Sequence, residues 1–144
     1  MPPSIRWTTI LARLENCFGI VGTALDWCRS YLSHRPQCTC VGDAVSKPVC
    51  LNYSVPQGSV LGPQWFSMYT YPIRNIVLKH NVSYHIYADD TQIYLAFKPH
   101  QQDCDYSINC LQNCVQDIRA WMEVNFLKLN DNKTEFVFSV PVNN

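Results

Sequence analysis

Two adjacent carboxylates, Asp89 and Asp90, lie between two short runs of β-branched and aromatic residues. Side chains alternate with a period of two on both sides of the pair, over residues 83–97, which predicts two strands joined at the acids. Two like charges ~4 Å apart repel by about 1 kcal/mol in water and about 4 kcal/mol at an effective dielectric near 20. A divalent cation relieves this repulsion, and hard oxygen ligands favour Mg²⁺. The alternative is a solvated turn, because Asp is a common turn residue.

The elements that must position this hairpin are mostly helical. Apolar positions recurring every three or four residues predict helices over residues 8–18, 20–33, 59–76 and 103–124, with a cap at Thr8 or Thr9 and a stop at Gly19. Pro63 fits only the first turn of the third helix, and Pro72 is expected to interrupt it. Further strands are predicted over residues 37–41, 45–53 and 135–140, the first two joined at Gly42-Asp43. This order predicts an α+β fold with helices packed on one face of an antiparallel sheet.

Composition narrows the classes of protein. A chain of 144 residues with 47% hydrophobic and 15% charged residues is expected to form one domain, residues 1–144. Its formal net charge of +0 gives no global basic field. No signal peptide and no run of about 18 apolar residues is recognisable, which favours an intracellular protein without a membrane span. The eight cysteines lack ordinary zinc-site spacing, so mostly buried thiols are expected.

Four segments together resemble the palm domain of reverse transcriptases from non-LTR (LINE-type) retrotransposons. Tyr87, Ala88, Asp89 and Asp90 are similar to the family's Y-x-D-D box. Residues 55–63 are similar to its P-Q-G box, and residues 126–135 to its N-F-L-K-L-N…K-T-E segment. Residues 11–35 are similar to the helical stretch that follows the family's first catalytic motif. The four boxes stand in the family's order and cover most of the chain.

The resemblance implies an RNA-directed DNA polymerase that works on an RNA template and a DNA primer. Two Mg²⁺ ions in such a palm activate the primer 3′-hydroxyl and stabilise the leaving pyrophosphate. It implies that Asp89 and Asp90 ligate the metal and that Tyr87 flanks the primer terminus. It further implies that Gln57 and Gly58 approach the template and incoming base pair, and that Lys133 lies near the pyrophosphate. Without the resemblance, Lys133 is a surface lysine and Gln57-Gly58 a turn.

The resemblance also implies that parts of the enzyme have no counterpart here. In the family a further aspartate precedes the segment similar to residues 11–35, whereas the first aspartate of this chain is Asp26, inside the second predicted helix. The fingers, the first catalytic strand and the thumb are not matched either. We therefore expect this chain alone to bind Mg²⁺ weakly, not to polymerise, and to associate through an open sheet edge.

Two other functions remain open at this point. The chain could be a non-catalytic palm relic that binds single-stranded nucleic acid or a protein through the Pro-Gln-Gly loop and exposed aromatic residues. It could also be a metal-binding interaction protein organised by cysteines such as Cys38 and Cys40.

Overall fold

A computed structural model of the chain describes residues 7–51, 58–97 and 101–139, with residues 101–103 described by their backbone only. Helices dominate this part of the chain, and its strands form three separate antiparallel pairs: β1 with β4, β2 with β3, and β5 with β6. The α+β class is confirmed, but the strands do not form the single sheet expected from the sequence. The elements in chain order are α1 Trp7–Phe18, α2 Gly22–Leu32, β1 Arg35–Gln37, β2 Cys40–Val41, β3 Ala44–Val45, β4 Val49–Leu51, α3 Gly62–Thr70, α4 Ile73–Lys79, β5 Ser83–Tyr87, β6 Asp90–Tyr94, α5 Gln101–Val124 and a 3₁₀ turn at Asp131–Lys133.

Helix boundaries follow the glycines and prolines of the sequence. Gly19 ends α1 with a φ of +66°, and Ile20 N–H donates back to the carbonyl of Leu14 at 3.0 Å, as in a glycine-stopped helix. Pro63 lies in the first turn of α3, as predicted, and Pro72 separates α3 from α4. The predicted start of α3 at Ser59 was wrong, because residues 58–61 form a turn and the helix begins at Gly62.

Two apolar clusters make up the interior of the part of the chain that the structure describes. The first, which we call the α1–α3 core, contains Ile10, Leu11, Leu14, Leu25, Cys28, Leu32, Trp65 and Tyr69. The second, the α4–α5 core, contains Ile73, Val77, Val82, Cys114 and Ile118. The helix predicted over residues 103–124 is confirmed as α5. Its buried residues, Ser107, Cys114 and Ile118, step by seven and four positions, as an amphipathic helix requires.

Arg13 connects the two cores. Its guanidinium donates hydrogen bonds to the carbonyl oxygen of Tyr69 and to Oδ1 of Asn125. It also lies 4.3 Å from the ring centroid of Tyr69 and 5.2 Å from that of Trp121. Burial lowers the pKa of Arg13, yet both hydrogen bonds and both aromatic faces favour its positive charge. α1 is thereby tied to α3 and to the end of α5.

Residues 35–51 form a two-stranded ribbon, which we call the β-arm. The predicted turn at Gly42-Asp43 is confirmed, and Gly42 takes a φ of +59° at its first position. Residue 37 pairs with residue 49, and residue 40 pairs with residue 45. Two residues separate 37 from 40, whereas three separate 45 from 49, so the strand after the turn holds one extra residue near Pro48. Every residue from 36 to 50 is exposed. Tyr53, in the predicted second strand, lies outside the described residues.

The strand predicted over residues 135–140 is not observed. Residues 134–139 adopt no regular structure, and Phe136, Val137 and Phe138 are exposed, while Val140 lies outside the described residues. The prediction used local β-propensity, but a strand needs a partner for its backbone groups, and no strand in the described part of the chain pairs with this segment. Within the described residues, the helices are too short or too polar to span a bilayer.

Candidate functional site

The hairpin predicted around Asp89 and Asp90 is confirmed. β5 and β6 pair in register from Ser83 opposite Tyr94 to Tyr87 opposite Asp90, leaving a two-residue turn. Ala88 opens this turn with a φ of +53°, a conformation that strains any residue with a β-carbon. The two acids are therefore not equivalent, because Asp89 lies in the turn and Asp90 is the first residue of β6. Both are exposed.

Strand alternation gives the hairpin two different faces. The outer face is exposed along its full length and consists of Ser83, His85, Tyr87, Asp90, Gln92 and Tyr94. Tyr87 is 77% exposed and stands directly opposite Asp90, so the two side chains leave the same face of the hairpin from paired positions. The outer face thus offers aromatic rings and a carboxylate to anything that approaches the tip.

The inner face fixes the hairpin on the helices. Tyr84, Ile93 and Leu95 pack against the α4–α5 core, and Val82, immediately before β5, is buried in that core. A two-stranded hairpin alone is marginally stable in water, and packing on helices removes this limitation. The carboxylates therefore stand at the end of a supported hairpin, as a metal site requires.

A polar cluster of Lys79, His80 and Asp117, which we call the clamp, connects the end of α4 to α5 just before β5. Nε2 of His80, at the end of α4, lies 2.8 Å from Oδ2 of Asp117 on α5, and Nζ of Lys79 lies 3.5 Å from the same oxygen. The hydrogen bond from His80 lowers the pKa of Asp117, and the charge of Lys79 acts in the same direction. Asn81 then turns the chain with a φ of +54°. The clamp fixes the end of α4 only three residues before the hairpin.

The cysteines near the clamp are structural. Sγ of Cys110 donates a hydrogen bond to the carbonyl oxygen of His80 at 3.2 Å. Cys114 is fully buried, and burial raises the pKa of its thiol to about 11. A thiol with so high a pKa is a poor nucleophile and a poor metal ligand at neutral pH. The expectation of mostly buried thiols was wrong, however, because Cys17, Cys38, Cys40 and Cys50 are exposed.

The described part of the P-Q-G-like segment is anchored on α2. Gly58 has a φ of +81°, and a β-carbon added to its backbone would meet no atom of the described residues within 4 Å, so these residues leave its backbone open to approach. The hydroxyl groups of Tyr31 and Ser59 are 2.5 Å apart, which ties the segment to α2. Gln57 lies outside the described residues.

Lys133 lies in the 3₁₀ turn and is exposed. Two hydrogen bonds of 3.0 and 2.6 Å from Arg119 to Asp131 hold this turn against α5. The Arg119 guanidinium lowers the pKa of Asp131. Within the described residues, no hydrogen bond or ion pair joins Lys133 to Asp89 or Asp90.

The donor set at the tip suits a hard cation. Two carboxylates plus waters and phosphate oxygens are the usual ligands of Mg²⁺ in proteins, whereas a soft metal prefers thiolates. Residues 7–51, 58–97 and 104–139 contain no group of three or more His, Cys, Asp or Glu side chains placed to hold a metal ion. The cysteine-organised metal site considered for Cys38 and Cys40 therefore finds no support in these residues.

Sequence reasoning missed the residues that support the site. Arg13, Tyr31 and the pair His80–Asp117 act through partners 28 to 112 positions away in the chain. Local periodicity carries no information on such pairs. The nearest available signal was a polar residue at a helix position that otherwise faces the interior, as at Arg13 between Leu11 and Leu14.

Comparison with known proteins defines the class. The family model described as reverse transcriptase (RNA-dependent DNA polymerase) matches residues 4–143. The chain belongs to this family, as the resemblance implied. Among curated proteins, it is similar to the probable RNA-directed DNA polymerase from transposon BS of Drosophila melanogaster, with 34% identity over 115 residues. The match covers 74% of this chain and 12% of that relative. No solved structure matches.

Proposed function

We propose that the chain is the palm portion of a retrotransposon reverse transcriptase and carries two of its metal-binding carboxylates, Asp89 and Asp90. The observation that carries the proposal is the exposed acidic tip of the β5–β6 hairpin, supported by the α4–α5 core. The family match and the similarity to a transposon polymerase support the same conclusion. Template RNA, primer DNA and nucleotide are the proposed substrates of the longer enzyme.

The residues at the tip fit Mg²⁺ as ligands. Asp89 and Asp90 would hold the ion, which in this class of reaction supplies charge stabilisation of the transferring phosphate. Tyr87 would pack beside the primer terminus, because its ring is exposed and lies opposite Asp90. Gly58 and Gln57 would contact the template side, and Lys133 the pyrophosphate side. Intracellular action on nucleic acid is part of the proposal.

Metal-dependent binding of a primer–template tests the proposal. We expect the chain to bind a labelled RNA-template–DNA-primer duplex more tightly in Mg²⁺ than in EDTA. Asp89→Asn should abolish the difference, because the remaining carboxylate holds the ion poorly. Asp43→Asn is the matched control, since Asp43 is also exposed and second in a two-residue hairpin turn, but has no adjacent acid.

The outcome separates the proposal from its main alternative. Exposed aromatic residues on the outer face, Tyr87 and Tyr94, favour a non-catalytic module that stacks unpaired bases. Such a module would bind nucleic acid with equal affinity in Mg²⁺ and EDTA and would be insensitive to Asp89→Asn. We expect no primer extension by this chain above that of the Asp89→Asn variant, because two carboxylates offer few ligands for a two-metal reaction.

A further inference from the structure

The β-arm is exposed along almost its whole length. All residues from 36 to 50 are exposed, and Val41, Val45 and Val49 are 74%, 64% and 65% exposed. Its strands pair only with each other, so both outer edges are free of strand partners within the described residues. An unsupported two-stranded ribbon is marginally stable, and an open edge with apolar side chains invites another strand.

The edge formed by β3 has the geometry to accept a partner. Ser46 N–H donates to the carbonyl oxygen of Thr39 at 2.9 Å, so residue 46 bonds inward, across the ribbon. Val41 and Ala44 flank the two-residue turn and also face inward. Hydrogen-bonding directions alternate along an antiparallel strand, so the N–H and C=O groups of Val45 point outward, away from β2.

The charged residues on either side of Val45 are complementary to the same residues in a second copy of the chain. Asp43 lies two residues before Val45 and Lys47 two residues after it, and neither has an ion-pair partner within the described residues. A second β3 strand placed antiparallel about a two-fold axis at Val45 pairs Val45 with Val45 of the other copy. The same axis brings each Asp43 opposite Lys47 of the other copy. An isologous interface requires this kind of self-complementary pattern.

We propose that the β-arm is a homodimerisation surface, in which the β3 edges of two copies of this chain pair antiparallel about Val45. The two ribbons then form a four-stranded sheet, which has enough strands for independent stability. The contact buries one short strand per copy, so the dimer is weak and its population depends on protein concentration. This proposal does not depend on the metal site.

Charge reversal gives the sharpest test. We expect sedimentation velocity under reducing conditions to show a monomer–dimer equilibrium for the unaltered chain; the reductant is needed because Cys38, Cys40 and Cys50 are exposed on the arm. Asp43→Lys and Lys47→Asp should each weaken dimerisation by about tenfold or more, because each places like charges opposite one another. An equimolar mixture of the two variants should recover the dimer, since every 43–47 pair is then of opposite sign.

A backbone variant and a control complete the experiment. Val45→Pro removes the outward N–H without touching the inward ladder, so it should abolish the dimer while circular dichroism stays unchanged. Asp105→Lys makes the same change in net charge as Asp43→Lys, but on the exposed surface of α5, and should leave the dimer intact. A chain that is monomeric at all concentrations, a dimer that survives Val45→Pro, or a mixture of the charge variants that stays monomeric would each overturn the proposal.

Discussion

Replacing Arg13 by methionine tests whether one guanidinium holds the two apolar cores together. Methionine keeps an unbranched apolar chain about as long as the aliphatic stem of arginine, and it removes the guanidinium with all of its donors. The carbonyl oxygen of Tyr69 and the amide oxygen of Asn125 then lose the hydrogen bonds that Arg13 donates, and the rings of Tyr69 and Trp121 lose the cation between them. Because these partners lie in α3 and at the end of α5, we expect the loss to loosen the packing of α1 on both.

The expected loss in the free energy of unfolding is the balance of opposing contributions. Each hydrogen bond from a charged donor contributes about 1.5–3 kcal/mol, and each cation–π contact about 0.5–1 kcal/mol. Methionine relieves the burial that lowers the pKa of Arg13, which offsets part of this loss. We expect a net loss of about 2–3 kcal/mol in the free energy of unfolding. For a chain of this size that corresponds to a fall in Tm of about 5–10 °C.

Urea denaturation and calorimetry of Arg13→Met measure the loss directly. Arg29→Met is the matched control, since Arg29 forms a 2.6 Å ion pair with Asp26 on the exposed surface of α2. A pair of this kind contributes less than about 1 kcal/mol. If Arg13→Met and Arg29→Met destabilise the chain equally, the assignment of Arg13 as the link between the cores is wrong.

Three further predictions concern the turns, the clamp and the thiols. Ala88→Gly should raise the free energy of unfolding by up to about 1 kcal/mol, and Gly42→Ala should lower it by about 1 kcal/mol, because both positions have positive φ; chemical denaturation checks both. The pKa of Asp117 lies below its usual value in the folded chain. Asp117 therefore contributes fully to stability above about pH 3.9, the pKa of an unfolded aspartate, and this contribution is lost as the pH falls through the lower pKa of the folded state. Asp117→Asn should therefore flatten the acid limb of a stability–pH profile measured by urea unfolding. In thiol labelling, Cys114 should react only on unfolding, while Cys38 and the other exposed cysteines react in the native chain.

Local sequence patterns were sufficient to predict the elements whose secondary structure depends on residues close by in the chain. The period of two around Asp89 and Asp90 identified the β5–β6 hairpin, and the spacing of apolar residues identified α5. Gly19 and Pro72 allowed two helix ends to be predicted correctly. Glycine adopts positive φ readily and proline lacks the N–H donor that a helix needs, and both effects are independent of the tertiary context.

Features that depend on distant residues escaped prediction. A strand at residues 135–140 was predicted from propensity, yet propensity does not supply the partner strand that pairing requires. In the described part of the chain, three separate strand pairs replace the single expected sheet, because sequence periodicity does not state which strands meet. At the site, the acids and their hairpin were predictable, whereas the Arg13 and His80–Asp117 contacts arise only when remote helices pack.

The claim that Asp89 and Asp90 form a divalent-metal site is tested most directly with Mn²⁺, a paramagnetic substitute for Mg²⁺, titrated into the ¹⁵N-labelled chain. We predict selective broadening of the amide signals of residues 87–91, reversed by excess Mg²⁺, lost in Asp89→Asn and retained in Asp43→Asn. Broadening that is spread evenly over exposed acids, or that persists in Asp89→Asn, would contradict the assignment of a metal site to these two carboxylates.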